Sequence, residues 1–511
     1  MIVAMYDITG IQEFVFSSTR LRENLGASII VQRIFADFFA GQSGARIVYI
    51  GGGNAMVAYD DRDRYREATC GLSREFVRRT GGALRFAAHA EEQEGTFCDV
   101  RKRLMDGLNE RKNRLNGSVP LMGIAITREC PHDGWPVVTV EDGEGLSYPA
   151  WSKRREDPDA YFRETRTLLD EDLAASGRKF PAELDRLGQV REEQNYIAVV
   201  HIDGNNVGQA INEALKDISG YEEAAGAMKR LSSDIDEAYT GAFRSLVRKL
   251  AVGEPGRTLP VRPIILSGDD VTFVSRGDLG LELAADFLCD VSGRTVTAAG
   301  RELRLSACAG VAIVKSHFPF SRAYGLAEEL CQSAKRKAKV LAAGSGTPEV
   351  GCWLDFHIVR RGILSDIGRM RSQHYQVRGM PGARDMNTPN GALKYRQYHL
   401  LGRPWRVCGP GPAEYDWKEL LKSAAVFRDS WPANRIKRLR DSLIGTPAER
   451  DLLMEEIRSR GHALPEFPGM EHDRLFFEAH PVLGNTTPFF DAIEILDFYP
   501  GSSVKGGPHA D

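Results

Sequence analysis

Apolar runs of strand length alternate with longer amphipathic stretches through the first hundred residues, and the same alternation returns between about residues 195 and 345. The first set opens with Ile2 to Ile8, which carries Asp7 near its end, followed by a glycine and a helix-period stretch from about Thr19 to Phe39. The second opens with Tyr196-Ile197-Ala198-Val199-Val200-His201-Ile202-Asp203-Gly204. Next, the run from Arg46 to Val57, with Gly51-Gly52-Gly53-Asn54 at its centre, parallels Pro263 to Val274, with Ser267-Gly268-Asp269-Asp270 at its centre. Two apolar runs around a four-residue turn predict a β-hairpin in each set. A charged helical stretch follows in both, and Leu84 to Ala90 then lines up with Leu303 to Ala309. The predicted order is β-α-β-β-α-β, twice, so the chain reads as an internal duplication.

That order describes a ferredoxin-like sheet with helices on one face, as in the palms of polymerases and nucleotide cyclases. The predicted fold class is α+β, with two such domains and a helical C-terminal domain. Residues 1–100 form the first palm, 101–190 a linker of helix and loop, 191–360 the second palm, and 361–511 a mixed, then helical region. The linker begins with an Arg- and Lys-rich helical stretch and turns polar from about Arg128 to Pro158. After the turn His317-Phe318-Pro319-Phe320-Ser321 a long helix is expected to about Ala343, and residues 350 to 412 read as loops with short elements. From Ala413 to Arg460 the pattern is helical, broken at Pro432 and restarted after Gly445-Thr446-Pro447. The tail Gly501 to Pro508 reads as frayed.

Composition adds limits. The chain has 511 residues, enough for several cores, and its 67 basic and 70 acidic side chains leave a net charge of −3, so global charge names no partner. The start Met1-Ile2-Val3-Ala4-Met5-Tyr6-Asp7 lacks a signal-peptide pattern, and no apolar run reaches membrane-spanning length. A cytoplasmic protein without a membrane partner is expected. The eight cysteines show no C-x-x-C spacing, so reduced, mostly buried thiols are expected.

In the second set, Asp203 ends the first strand while Asp269 and Asp270 sit at the turn of the neighbouring hairpin. An Asp-Asp pair alone is often only a turn, but the flanking strands and Asp203 point to chemistry. Three such carboxylates suit hard ions, Mg²⁺ or Mn²⁺, of the kind that activate a hydroxyl and neutralise a triphosphate during in-line attack. Gly204-Asn205-Asn206-Val207-Gly208, with Ser267 and Gly268 across the hairpin, predicts backbone N–H groups that cradle a triphosphate. Lys335 and Lys339, one helical turn apart, are placed for one of them to reach a β- or γ-phosphate. In the first set Asp7 survives but the hairpin acids are missing, which predicts a catalytically dead duplicate forming the opposite wall of a pocket. Cys130-Pro131-His132-Asp133 lacks a second ligand pair, with Ser152 and Lys153 at that place, so no zinc ribbon is expected. The His472-Asp473 dipeptide reads as structural.

Asp7-Ile8-Thr9-Gly10-Ile11-Gln12-Glu13-Phe14, His201-Ile202-Asp203-Gly204-Asn205-Asn206 and Leu266-Ser267-Gly268-Asp269-Asp270-Val271 resemble the large subunit (Cas-ten) of type III CRISPR effector complexes. The resemblance covers roughly residues 1 to 100 and 190 to 360. It implies metal sites at Asp203, Asp269 and Asp270, a phosphate-binding role for Lys335, and synthesis of cyclic oligoadenylates from ATP or another NTP. It also implies antiviral defence as the context, with RNA and effector subunits as partners. Ser267 departs from the family's usual glycine, and a compact relative is expected, without an HD nuclease domain and with the inter-palm zinc ribbon eroded to Cys130 and His132. The alternative is a non-catalytic palm scaffold that binds nucleotide or RNA in a defence complex. A templated polymerase or diguanylate cyclase shares the metal logic but lacks recognisable fingers or thumb.

Overall fold

The computed structural model describes residues 1–18, 20–114, 126–169, 177–184, 187, 189–190, 194–253, 258–298, 301–345, 350–360, 366–384, 393–478 and 484–499. The tail Gly501 to Pro508 and parts of the linker lie outside them. The protein is mixed α+β. A four-stranded antiparallel sheet near the N-terminus has the order β2-β3-β1-β4, with β1 Ile2–Thr9, β2 Ala45–Gly51, β3 Asn54–Tyr59 and β4 Arg85–Glu92. The larger sheet is built around β5 Gln194–Gly204, β6 Val261–Ser267, β7 Asp270–Arg276 and β8 Ala307–Lys315, which stand in the order β6-β7-β5-β8. The two four-strand sets thus share one strand order. They also share a bulge: Val48 has no register partner in β2 and Ile264 none in β6, each three residues before its strand ends at the tip.

In the first set, helices α1 Ile11–Phe16, α2 Leu21–Ala40, α3 Arg62–Thr80 and α4 Phe97–Arg114 accompany the strands. Asp61 caps α3 by accepting from the Asp63 and Arg64 amides, and Gly81 closes it in the left-handed conformation. In the second, α5 Val207–Leu215 and the long α6 Tyr221–Gly253 follow β5, α7 Gly280–Ser292 follows β7, and α8 Phe320–Ser345 follows β8. A close approach seats α8. A Cβ on Gly310 of β8 would stand 1.9 Å from the Ala327 carbonyl oxygen, so only glycine lets helix and strand meet there.

The region from 350 onward contains more regular structure than its loop-like sequence suggests. β9 Cys352–Ile358 lies parallel beside β8, and β10 Trp405–Cys408 pairs with β9, extending the large sheet past its repeated core. Helices α9 Trp417–Ser430, α10 Ala433–Ile444 and α11 Pro447–Ser459 follow, and then a short helix Phe489–Glu494. The break falls at Pro432, and Thr446 with Glu449 forms a capping box at the restart. The sulfurs of Cys289 and Cys408 are joined as a disulfide, contrary to the all-reduced expectation; Cys130, Cys308, Cys331 and Cys352 are buried free thiols. The two half-cystines are far apart in the chain, so no local spacing announces them. No described helix is long and apolar enough to cross a membrane.

One buried cation ties the linker to the first set. Lys153 is 1% exposed, donates to Phe14 O at 2.7 Å and Ser17 Oγ at 2.8 Å, and lies over the Phe14 ring. Burial pulls its pKa from 10.5 to about 8, against the opposing charges of Asp133 and Glu23. The folded protein therefore binds this proton less tightly than the unfolded chain, and folding becomes more favourable as pH rises through that window. A shift of this size corresponds to about 3 kcal/mol between the two plateaus. Urea titrations at pH 7.5 and 10.5 should show the native protein gaining more stability over that interval than Lys153→Met does, by about that increment.

Candidate functional site

The two hairpin tips face one another across a cleft of about 970 Å³ whose walls come from both sets, including Gly52, Gly53, Arg101, Lys229, Asp236 and Asp269. Asp203 ends β5 and Asp270 begins β7, and the two are direct register partners. Asp269 precedes Asp270 in the turn, and its carbonyl accepts the Gly204 amide at 3.2 Å. Adjacent strands therefore gather three carboxylates at one sheet edge. Lys335 reaches them from α8: its Nζ lies 2.6 Å from Asp203 Oδ2 and donates to Gly204 O at 2.7 Å. Lys339, one turn on, is exposed; the lysine that meets the acids is Lys335.

Like charges and partial burial make this cluster electrostatically costly. Burial, then Asp203, raises the Asp269 carboxyl above its usual range. Asp270 is pushed up to about 8 by burial, then by Asp203, Asp269 and Glu328. Its side chain is 44% exposed, yet Oδ1 is enclosed and has no hydrogen-bond partner. His201 Nδ1 stands 3.5 Å from that oxygen but is hydrogen-bonded to Thr272 Oγ1 at 3.1 Å. Burial also pulls His201 down to about 4, so it is neutral at pH 7 and brings no counter-charge. The cluster has one close cation, Lys335, for three carboxylates.

The cradle expected at Gly204-Asn205-Asn206 is different in detail. The Gly204 and Asn205 amides donate to Asp269 O and Ser306 O, so neither faces the cleft as a free donor. The Asn205 side chain turns inward, donating to Ser306 Oγ and Gly351 O and accepting from Cys308 Sγ. Asn206 takes a left-handed conformation at the N-cap of α5, and of the expected cradle it is Val207 and Gly208, in the first turn of that helix, that line the cleft. Ser267 accepts the Gly52 amide on its hydroxyl at 3.1 Å, a contact between the two tips, and Gly268 lines the cleft with φ of 62°.

The first set repeats part of this pattern. Asp7 is register partner to Asn54, as Asp203 is to Asp270, and it is ion-paired with Lys112 of α4, as Asp203 is with Lys335 of α8. Burial raises the Asp7 carboxyl and Lys112 opposes the rise. The positions matching Asp269 and Asp270 are Gly53 and Asn54, one residue later than the sequence overlay places them. Asn54 still supplies polar oxygen, but no second charge.

Among the described residues no three acidic, histidine or cysteine side chains are drawn into a group able to hold a metal ion. The donor set nevertheless fits a hard divalent cation in chemistry: carboxylate oxygens at one edge, one of them enclosed without a donor, carry more negative charge than their lysine offsets. Around the Cys130–His132 segment, His132 Nδ1 lies 3.8 Å from Glu23 Oε1, and Arg154 ion-pairs with both Glu23 and Glu144.

Sheet, carboxylates and lysine define a palm-bearing protein. Residues 196–341, which contain Asp203, Asp269, Asp270 and Lys335, match the family model of the Cas10/Cmr2 second palm domain. Solved structures of similar fold include a Csm1-Csm4 cassette in complex with cA4 (14% identity, TM-score 0.52) and the cassette in complex with one ATP (14%, 0.54). The Csm1-Csm4 subcomplex of the type III-A CRISPR-Csm interference complex is also similar (14%, 0.53). Each match covers 97% of this chain and 69% of the other. At that identity the likeness is one of fold. No curated protein sequence matches the chain.

Proposed function

We propose that the protein is a nucleotidyltransferase that joins ATP, or another NTP, into cyclic oligonucleotides in CRISPR-type antiviral defence. The observation that carries this reading is the Asp203–Asp270 register pair with Asp269 beside it, at the edge of a cleft large enough for nucleotides. Residues 1–100 act as a degenerate first palm, with Gly53 and Asn54 in place of the hairpin acids, and residues 191–360 as the active one. The cleft between them holds substrate, with Lys335 and the first turn of α5 toward the phosphates. Mg²⁺ or Mn²⁺ at Asp203, Asp269 and Asp270 would neutralise phosphate charge and favour deprotonation of the attacking hydroxyl. The chain's own part is to orient two nucleotides against one another and hold the acids in register. By analogy with the Csm1-Csm4 structures, a partner subunit completes the working assembly, and RNA is the further partner expected of it.

A second reading, nucleotide binding without turnover, has one observation in its favour: Asp203 is already paired with Lys335, and among the described residues no metal-holding group is preformed. Incubation with radiolabelled ATP, then each other NTP, in Mg²⁺ or Mn²⁺ separates the two. Phosphatase-resistant product establishes synthesis and identifies the base; bound nucleotide with no product, with RNA and partner supplied, establishes the scaffold. Gly204→Ala offers a local check. A Cβ there would stand 2.7 Å from both Asp269 Oδ2 and Val207 Cγ2, forcing the carboxylate aside. Displacement on this scale should lower turnover by about 10²-fold with nucleotide affinity little changed, as read by initial rates and equilibrium dialysis.

A further inference from the structure

The Asp269 hairpin is held from outside its own sheet. Gly268 N–H donates to Asp236 Oδ1 on α6 at 2.8 Å, and Asp236 Oδ2 takes Arg166 Nη1 at 2.5 Å. Arg166 belongs to the segment between the two sets. Its Nη2 also donates to Leu266 O, two residues before Gly268, at 2.6 Å, and to Gln32 Oε1 on α2 at 3.2 Å. β6 is an edge strand, so an outward carbonyl such as that of Leu266 has no ladder partner and Arg166 supplies one. The Arg166 side chain is 15% exposed. One largely enclosed guanidinium therefore binds the first set, the long helix of the second, and the backbone at the base of the hairpin.

On the other side of the turn there is little slack. Asp269 lies against Gly204 so closely that a single added methyl would collide with its carboxylate, and Ser267 is tied to Gly52 across the cleft. The turn is thus wedged between Gly204 on one side and Asp236 on the other. Any reseating of α2 against the second set pulls on Gln32, then Arg166, then both Leu266 O and Asp236. A solvent-exposed ion pair contributes little to stability, whereas this one ends on the amide next to a cleft carboxylate.

We propose that Asp236 is a positioning residue for Asp269, and that Arg166 couples the hairpin to the seating of the first set through Gln32. Its effect on turnover rests on the nucleotidyl-transfer reading; its effect on the hairpin does not. Three proteins test it: the native chain, Asp236→Ala, and Asp236→Asn, which keeps an acceptor for the Gly268 amide while dropping the charge that Arg166 meets. Hydrogen–deuterium exchange over residues 266–271 is expected to quicken by about tenfold or more in Asp236→Ala, to stay near native in Asp236→Asn, and to remain unchanged in β1 and β3. Arg166→Met should loosen the same peptide and also the Gln32 region of α2. Mn²⁺ affinity, followed by electron paramagnetic resonance, should weaken in Asp236→Ala. Where the native chain synthesises product, kcat should fall by about 30-fold in Asp236→Ala with KM within threefold, Asp236→Asn recovering most of the rate. Native-like exchange at 266–271 in Asp236→Ala, or uniformly faster exchange across both sheets, overturns the proposal. A native chain that makes no product sinks the nucleotidyl-transfer reading alone, since exchange and Mn²⁺ affinity still decide the positioning role.

Discussion

An Asp269→Ala/Asp270→Ala protein is expected to bind ATP and make no detectable product, a loss of at least about 10³-fold by chromatography of labelled nucleotide. The two residues provide two of the three carboxylates at the cleft edge, and Asp203, the third, is matched by Lys335. Without them the site keeps its shape, because β6 and β7 pair through their backbones and the turn is held by Asp236. Nucleotide should bind at least as well, since two acidic groups leave the neighbourhood of its phosphates. The variant should also melt no lower than the native protein. Both carboxyls have pKa values raised by folding, so the folded state disfavours their charge at neutral pH, and removing them relieves that strain. Thermal denaturation alongside the assay distinguishes this outcome from misfolding: lost synthesis with an unchanged or raised midpoint is the expected pair of results.

The acids were legible in sequence because strand ends and hairpin tips are local patterns. Asp203, Asp269 and Asp270 needed only the expectation that β5 and β7 are neighbours to be brought together. Register was less legible. The overlay of the two hairpins slipped by one residue, pairing Gly52 and Gly53 with the acids where the structure pairs Gly53 and Asn54. Strands β3 and β7 are buried over nearly their whole length, so neither shows the in-out alternation that would reveal a one-residue slip. The bulges at Val48 and Ile264 add one unpaired residue to each hairpin, which no apolar pattern shows. At the fourth strand the overlay slipped by two: Asp7 partners Ala87 and Asp203 partners Cys308, because the hairpin Thr295–Ala298/Arg301–Arg304 intervenes in the second set alone.

What the sequence could not show is where side chains turn. Asn205 looked like part of a phosphate cradle, but Ser306, Gly351 and Cys308, each at least a hundred residues away in the chain, draw its amide into the protein. Arg166 and Asp236 carried no signal at all. One lies in a polar linker and the other on an amphipathic helix, and their meaning depends on Gly268 and Gln32 arriving beside them. The same holds for β9 and β10: β9 pairs with β8 and β10 with β9, which turns a Gly- and Arg-rich stretch into part of the main sheet.

Lys335→Met separates two roles that a lysine beside carboxylates can have, and the expected result has opposite signs in two measurements. Its ammonium is 2.6 Å from Asp203 Oδ2, so it occupies the electrostatic place that a divalent cation would share. Removing it leaves three carboxylates with no close cation, and Mn²⁺ should bind more tightly, by about tenfold, in a titration without nucleotide. If Lys335 were only that counter-ion, the variant would be a faster enzyme at low metal. Yet its Nζ also stands at the Gly204 carbonyl, where β5 gives way to the turn leading into α5 at the cleft, and α8 is locked against β8 through Gly310, so the amine cannot be supplied from elsewhere. A triphosphate entering there loses the one cation that, among the described residues, meets the acid cluster. Synthesis should therefore fall by about 10²-fold with the loss concentrated in KM for the nucleotide, and raising Mn²⁺ should recover part of it but not all. Tighter metal binding together with slower synthesis places Lys335 on the phosphates; tighter metal binding with undiminished synthesis would reduce it to a counter-ion for Asp203.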